Sequence, residues 1–123
     1  MTQAGTALSS LRVRRDYLAA AKAGKQVRQG FVLQARERQA DEPTHTPIRF
    51  GLTASKKTGN AVMRNRIRRR LRALAKEVLP HYGTAGFDYV MIGRVHTAPR
   101  AWADLHKDLR SALKAIHQNE TAT

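Results

Sequence analysis

The sequence predicts a single α+β domain in which helices are interleaved with strands. Two segments carry apolar residues at three- and four-residue spacing: Met63, Ile67, Leu71, Leu74 and Val78, then Trp102, Leu105, Leu109, Ala112 and Ile116. That is the period of amphipathic helices. Ile48, Phe50, Leu52 and Ala54 instead alternate with Arg49, Gly51, Thr53 and Ser55, the period of a half-buried strand. No repeat or low-complexity linker divides the 123 residues, a length for which one domain is the default. Strands separated by helices imply one mixed sheet with helices packed against it.

Residues 1–10 are small and polar and are expected to form a flexible terminus, with the domain at 11–118 and a flexible C-terminus at 119–123. Arg14 to Ala23 is rich in helix formers, with Gly24 as its C-terminal cap. Val13, Tyr17, Ala20 and Ala21 are placed to share one face of that helix. Phe31-Val32-Leu33 reads as a short strand. Glu37 to Pro47, with its acids, prolines and threonines, reads as a hairpin-like loop. A short extra strand is expected around Ala54 to Thr58. Gly59-Asn60 marks a turn, with Asn60 as cap of the following helix, which should end near Pro80. Phe87 to Ile92 is an apolar strand after Gly83 and Gly86. Thr97-Ala98-Pro99 signals a helix start, with Pro99 in the first turn.

A net charge of +14 on so short a chain costs self-repulsion and points first to nucleic acid, then to an anionic membrane surface. Cysteine is absent, which excludes disulfides and Cys-ligated zinc or iron–sulfur sites. No stretch approaches the roughly 20 apolar residues of a membrane span. The N-terminus lacks a basic region followed by an apolar core, so no secretory signal is expected and the cytoplasm is the expected compartment.

The positive charge is concentrated. From Lys56 to Lys76 the chain holds nine Lys or Arg and no Asp or Glu, within a segment of helical periodicity. Arg64, Arg68 and Arg72 form a ridge four residues apart, beside the apolar stripe. Arg66, Arg69, Arg70 and Lys76 project from the flanks and the solvent face. Like charges at this spacing repel by a few tenths of a kcal/mol, and an anion relieves them. Arginine also suits bidentate phosphate contacts. Lys56, Lys57 and the Thr58-Gly59-Asn60 turn stand at the helix entry, where free backbone N–H groups favour a phosphate. Tyr17 and Phe31 fit either a core or a groove that stacks an unpaired base, with Arg12, Arg14, Arg15 and Lys22 as its charged rim.

Chemistry carried by the chain itself is poorly supported. His45, His81, His96, His106 and His117 are scattered, and the eleven-residue spacing of His106 and His117 does not suit a shared metal. The GLTASKKTG segment lacks the spacing of a phosphate-binding loop. A ribosomal or general RNA-binding structural protein fits the composition. A protein-only ribonuclease and a helical DNA-binding protein fit it less well.

The run Gly51-Leu52-Thr53-Ala54-Ser55-Lys56-Lys57-Thr58-Gly59-Asn60-Ala61-Val62-Met63-Arg64-Asn65-Arg66-Ile67-Arg68-Arg69 resembles the signature of the bacterial ribonuclease P protein family. Arg12 to Tyr17 is similar to that family's first-helix entry, Phe31-Val32-Leu33 to its first strand, and Asp88 to Arg94 to its late strand. The resemblance covers roughly residues 11–117. It implies an αβββαβα two-layer sandwich, ribosomal protein S5 domain 2-like, with a left-handed crossover in place of the usual right-handed one. It implies a catalytic RNA partner that works with Mg²⁺, bound mainly by that RNA, and a precursor tRNA whose 5′ leader is removed. No membrane partner or obligate protein partner is implied, and no catalytic side chain.

By resemblance, Lys56, Lys57, Asn60, Arg64, Asn65, Arg66, Arg68 and Arg69 meet the catalytic RNA. Asn65 and Arg66 are expected to face away from Arg64 on an ideal helix. Arg12, Tyr17, Phe31, Thr53, Ser55 and Arg94 are the implied leader-binding set. Two positions depart from the family pattern. Ala21 stands where a second aromatic is common, which implies a shallower cleft. Val13-Arg14 replaces small polar residues, which implies a less well capped first helix.

Overall fold

In a computed structural model of the protein, residues 7–39 and 47–121 are described. The elements run β1 (Leu8–Ser10), α1 (Arg14–Lys22), β2 (Gly24–Val27), β3 (Phe31–Glu37), β4 (Ile48–Thr53), α2 (Ala61–Tyr82), β5 (Phe87–Gly93) and α3 (Trp102–Thr121), with 3-10 turns at Lys56–Thr58 and Val95–Thr97. From α1 onward this is the expected αβββαβα order. One five-stranded sheet has the strand order β1-β4-β5-β3-β2. β1 pairs parallel with β4 and β4 parallel with β5, whereas β5–β3 and β3–β2 are antiparallel. The parallel neighbours β4 and β5 are joined through α2, the unit in which the family resemblance implies a left-handed connection.

The sandwich is built by α2 and α3 on one sheet face. Ile67, Leu71, Leu74 and Val78 of α2 and Leu105, Leu109 and Ala112 of α3 are each 0% exposed and pack on Phe31, Leu33, Ile48, Tyr89 and Met91. The opposite face carries α1, where Leu11, Ala20 and Val90 form a smaller cluster flanked by Tyr17 and Ile92. Helix α1 therefore covers only part of its face.

Several boundaries differ from expectation, each for a local reason. Leu8–Ser10, read as part of a flexible terminus, pairs with the edge of β4. Residues 1–6 lie outside the described residues, as does most of the predicted 37–47 loop. Gly24 opens β2 and does not cap α1, because the chain turns straight into pairing with Ala35. The extra strand sought at Ala54 to Thr58 is a 3-10 turn there; the additional strands are β1 and β2. Helix α2 begins at Ala61 and runs through Pro80. Pro80 sits in the last turn, where its missing N–H costs one bond, and the helix closes with Gly83 N–H donating to Leu79 O at 2.8 Å. Pro99 lies ahead of α3, in the turn that follows Val95–Thr97. Val13 and Ala21 are exposed, so the buried face of α1 is carried by Asp16 and Ala20, with Tyr17 half-buried beside them. Val13 is the N-cap of α1 and offers no side-chain hydrogen bond, in keeping with its departure from small polar residues.

The α1 side of the sheet is fastened by charge. Asp88 of β5 is fully buried and accepts from Arg38 Nη1 at 2.7 Å and from Arg49 Nε and Nη2 at 2.8 and 2.7 Å, with Arg36 Nη1 at 3.3 Å. Arg49 also reaches Asp16 of α1 at 3.4 Å. Burial alone would push the Asp88 carboxyl up, but the hydrogen bonds and charges of Arg49 and Arg38 outweigh it and hold the carboxyl below its ordinary range. A depressed native pKa contributes stability that is present above the unfolded carboxylate range and lost as pH falls through the native value. Asp88→Asn is therefore expected to cost about 3–5 kcal/mol at neutral pH in urea denaturation. The gap to the parent should close in acid; a gap independent of pH would contradict this role.

Candidate nucleic-acid interface

The entry to α2 is built by a short relay of hydrogen bonds. Ser55 O accepts from Thr58 N at 3.0 Å and from Thr58 Oγ1 at 2.6 Å, closing the 3-10 turn that carries exposed Lys56 and Lys57. Gly59 follows at φ +139°, a conformation open to glycine and strained for other residues, and a Cβ there would lie 2.9 Å from Met63. Asn60 then caps the helix, its Oδ1 accepting from Met63 N at 2.9 Å. The cap uses the amide oxygen of Asn60, which is an exposed residue.

With Ile67 and Leu71 buried, helical spacing sets where each arginine points. Asn65, Arg68, Arg69 and Arg72, with Val62, line one open groove of about 470 Å³. Arg64, one turn before Arg68, belongs to this flank, and its Nε is shielded from water with no hydrogen-bond partner. Arg68 bridges inward, donating to Asn65 Oδ1 and to Ala54 O, each at 3.4 Å. Asn65 thus lies with the arginine ridge, contrary to expectation. Arg66 does face away, into a hollow with Thr58, Met63, Val95, Ala98 and Pro99. Arg70 is not a solvent-face residue. It donates to Thr97 O and Ala98 O at 2.6 and 2.7 Å and stands 5.9 Å over the Trp102 ring. Its burial and the nearby charge of Arg66 pull its pKa below the usual arginine value. Arg64, Arg66, Arg68, Arg69 and Arg72 form no ion pair among the described residues.

Beside the ridge, on the α1 face, lies a cleft. The Tyr17 ring sits directly on Gly51, where a Cβ would come within 2.5 Å of the ring, and its hydroxyl donates to Leu11 O at 3.4 Å. Tyr17, Gly51, Leu52, Arg68 and Arg72 line a small hollow of about 90 Å³. Further along the same face, half-buried Thr53, Ile92 and Val32 form one cross-strand row. Ser55 is exposed beyond the end of β4, and Arg12 is exposed ahead of α1. Arg94 extends from the end of β5 and donates to the Arg28 carbonyl.

Phe31 does not belong to this cleft. It is 0% exposed on the opposite face, packed under α2 and α3. Alternation along β3 gives the cleft face to its neighbour Val32. Val32, Ile92 and Gly51 are the cleft residues that sequence reasoning missed. Once Phe31 and Leu33 are in the core, strand parity assigns Val32 and Ile92 to the cleft face. The seat that Gly51 offers to Tyr17 has no sequence signal.

The histidines have separate duties: His106 Nε2 is 3.2 Å from Glu77 Oε2, and His117 Nε2 is 2.7 Å from Tyr89 Oη. Among the described residues, no group of three or more His, Cys, Asp or Glu is placed to hold a metal ion. No helix among them is long and apolar enough to cross a membrane.

A family model, Ribonuclease P, matches residues 6–117, a span that holds both the basic helix entry and the cleft. The chain belongs to the ribonuclease P protein family. It is 50% identical over 115 residues to the ribonuclease P protein component of Ruegeria pomeroyi, covering 93% of this chain and 90% of that protein. It is 48% identical over 106 residues to that of Caulobacter vibrioides, covering 86% of this chain and 69% of that protein. The structure of the RNase P protein from Thermotoga maritima superposes with a TM-score of 0.69 at 25% identity, covering 86% of this chain and 96% of that one. Within this ribonuclease P protein fold, the Asn60 cap is expected to contribute about 1 kcal/mol. Asn60→Ala should lower the urea midpoint accordingly, and Asn60→Ser should restore most of it. An unchanged midpoint in Asn60→Ala would contradict the capping role.

Proposed function

We propose that this chain is the protein component of ribonuclease P, in which a catalytic RNA with its Mg²⁺ removes the 5′ leader of precursor tRNA in the cytoplasm. The α2 entry and ridge (Lys56, Lys57, Asn60, Arg64, Asn65, Arg66, Arg68 and Arg69) meet the RNA subunit. The cleft holds the leader, with Tyr17, Thr53 and Ser55 from the implied set, Val32 and Ile92 as its floor in place of Phe31, and Arg12 and Arg94 at its ends. One observation carries this reading: Arg68 and Arg72 wall both the ridge groove and the Tyr17 hollow. Two RNA strands bound on either side would share one set of guanidinium groups, which couples leader position to the RNA subunit.

The chain's own contribution is charge neutralisation and orientation. Unpaired arginines beside a low-dielectric surface offset phosphate repulsion where two RNA segments converge. Magnesium, held mainly by the RNA subunit, would supply activation of water and charge stabilisation of the leaving oxygen; in this chain Asp88 and Asp16 pair with Arg49 of β4, and Asp108 of α3 pairs with Arg100 at 2.7 Å.

Reconstitution at low Mg²⁺ with RNA subunit and precursor tRNA, omitting each component in turn, tests the assignment. Cleavage should require the RNA and be enhanced by the protein. Cleavage by the chain alone, or no enhancement, would sink it. Arg64→Ala and Arg68→Ala should each weaken assembly about tenfold and flatten the slope of log affinity against log salt by roughly 0.7–0.9. Tyr17→Ala should cost about 1–3 kcal/mol in binding leader-bearing substrate, with little effect on substrate lacking a leader. Equal losses for both substrates would remove Tyr17 from the leader path.

A further inference from the structure

The hollow on the Arg66 flank of α2 is unlike the ridge on the other side. Its walls are Thr58, Met63, Arg66, Val95, Ala98 and Pro99, around a volume of about 320 Å³, within the range of small-ligand sites. The walls are mostly apolar yet open to water: Val95 is 63% exposed and Met63 37%. Scattered exposed apolar residues are ordinary; here Met63, Val95 and Pro99 meet around one hollow that Arg66 also enters. The hollow also contains no carboxylate, while Arg66 opens into it and Arg70 stands behind its floor.

That floor is rigid. Arg70 holds the Thr97 and Ala98 carbonyls, Thr97 Oγ1 donates to Gly30 O, and Arg94 N donates to Thr97 Oγ1 at 2.9 Å. The turn that presents Val95, Ala98 and Pro99 is therefore fixed before any partner arrives, which lowers the entropic cost of binding. The occupant must offer a flat apolar face and an anionic group a few ångströms apart. A duplex presents phosphates but keeps its base faces stacked. An apolar peptide leaves Arg66 unopposed. An unpaired nucleotide meets both requirements, as bases held between apolar side chains do elsewhere.

We propose that this hollow receives a single unpaired nucleotide of the RNA subunit, its base against Val95, Ala98 and Pro99 and its phosphate on Arg66. The inference rests on the RNA-binding role proposed above and extends it to a position-specific contact. It also gives Arg66 a task distinct from that of Arg64 and Arg68: the RNA straddles the start of α2, with backbone on the ridge and one base turned out on the far flank.

The test uses the full chain and the RNA subunit, with affinity measured across a salt series. Val95→Ser and Pro99→Ser alter exposed side chains, so urea midpoints should match the parent. Each should weaken binding about 5–10-fold without changing the salt slope, because the lost contact is apolar. Arg66→Ala should weaken binding and flatten the slope by roughly 0.7–0.9. Val27→Ser, at an exposed position on β2, should bind as the parent does. Chemical probing should find one unpaired nucleotide that the parent protects and Val95→Ser leaves reactive. Parent-like affinity in both serine variants overturns the proposal, as does a slope change equal to that of Arg66→Ala, or a loss of affinity with no such nucleotide. If Arg64→Ala and Arg68→Ala also bind like the parent, the RNA surface itself is misassigned; if they weaken binding, only the nucleotide site fails.

Discussion

The burial of one stripe of α2 governs the rest of the molecule. Ile67, Leu71, Leu74 and Val78 are wholly removed from water, and each is worth about 1.5–3 kcal/mol of transfer free energy. Turning the helix by one residue would bring an arginine into the core at a far greater cost. Repulsion among the arginines amounts to only a few tenths of a kcal/mol per pair, so it cannot rotate the helix. The direction of every guanidinium is thus decided by the apolar residues between them. The unopposed field persists until a polyanion arrives.

The same constraint divides the arginines by task. Arg68 and Arg72, one turn apart on the ridge, border both the open groove and the Tyr17 hollow. Arg66 emerges on the far flank, beside exposed apolar residues. Arg70, between that flank and the core, is absorbed into structure and pins the turn before α3. On the other sheet face, Asp88 gathers Arg36, Arg38 and Arg49, and Arg49 extends the contact to Asp16 of α1. That fastening sets α1 against the sheet, and Gly51 lets the Tyr17 ring settle there without a side chain beneath it.

Much of this was legible in the sequence because it rests on periodicity. The three- and four-residue spacing of α2 and α3 and the alternation of β4 named most of their buried residues, but Met63 and Trp102, which open the two stripes, are exposed because each stands at a helix start beyond the edge of the core; Asn60 announced its cap. What was not legible depends on partners distant in the chain. Leu8–Ser10 and Gly24–Val27 have no strand pattern; they pair because the edges of β4 and β3 are open to them. Phe31-Val32-Leu33 is apolar throughout, so its run alone leaves Phe31 open between core and groove; the leader-binding set implied by the resemblance includes Phe31, whereas the structure buries it in the core. Arg70 read as one more surface cation, since the carbonyls that engage it lie 27 and 28 positions further along the chain. The family signature supplied the chain order and the set proposed to face RNA, but not the split of that set across two flanks of α2.

Arginine-selective chemical modification, read by mass spectrometry with and without the RNA subunit, tests the central claim most directly. In the free protein Arg64, Arg66, Arg68, Arg69 and Arg72 should react while Arg70 and Arg38 stay protected by their hydrogen bonds. Binding the RNA should protect all five of the reactive α2 arginines and leave Arg110, an exposed residue of α3 that stands 6.0 Å over the Tyr82 ring, as reactive as before. Protection of Arg110 with the α2 arginines still reactive would place the RNA at the far end of α2, beside Tyr82, and contradict the account.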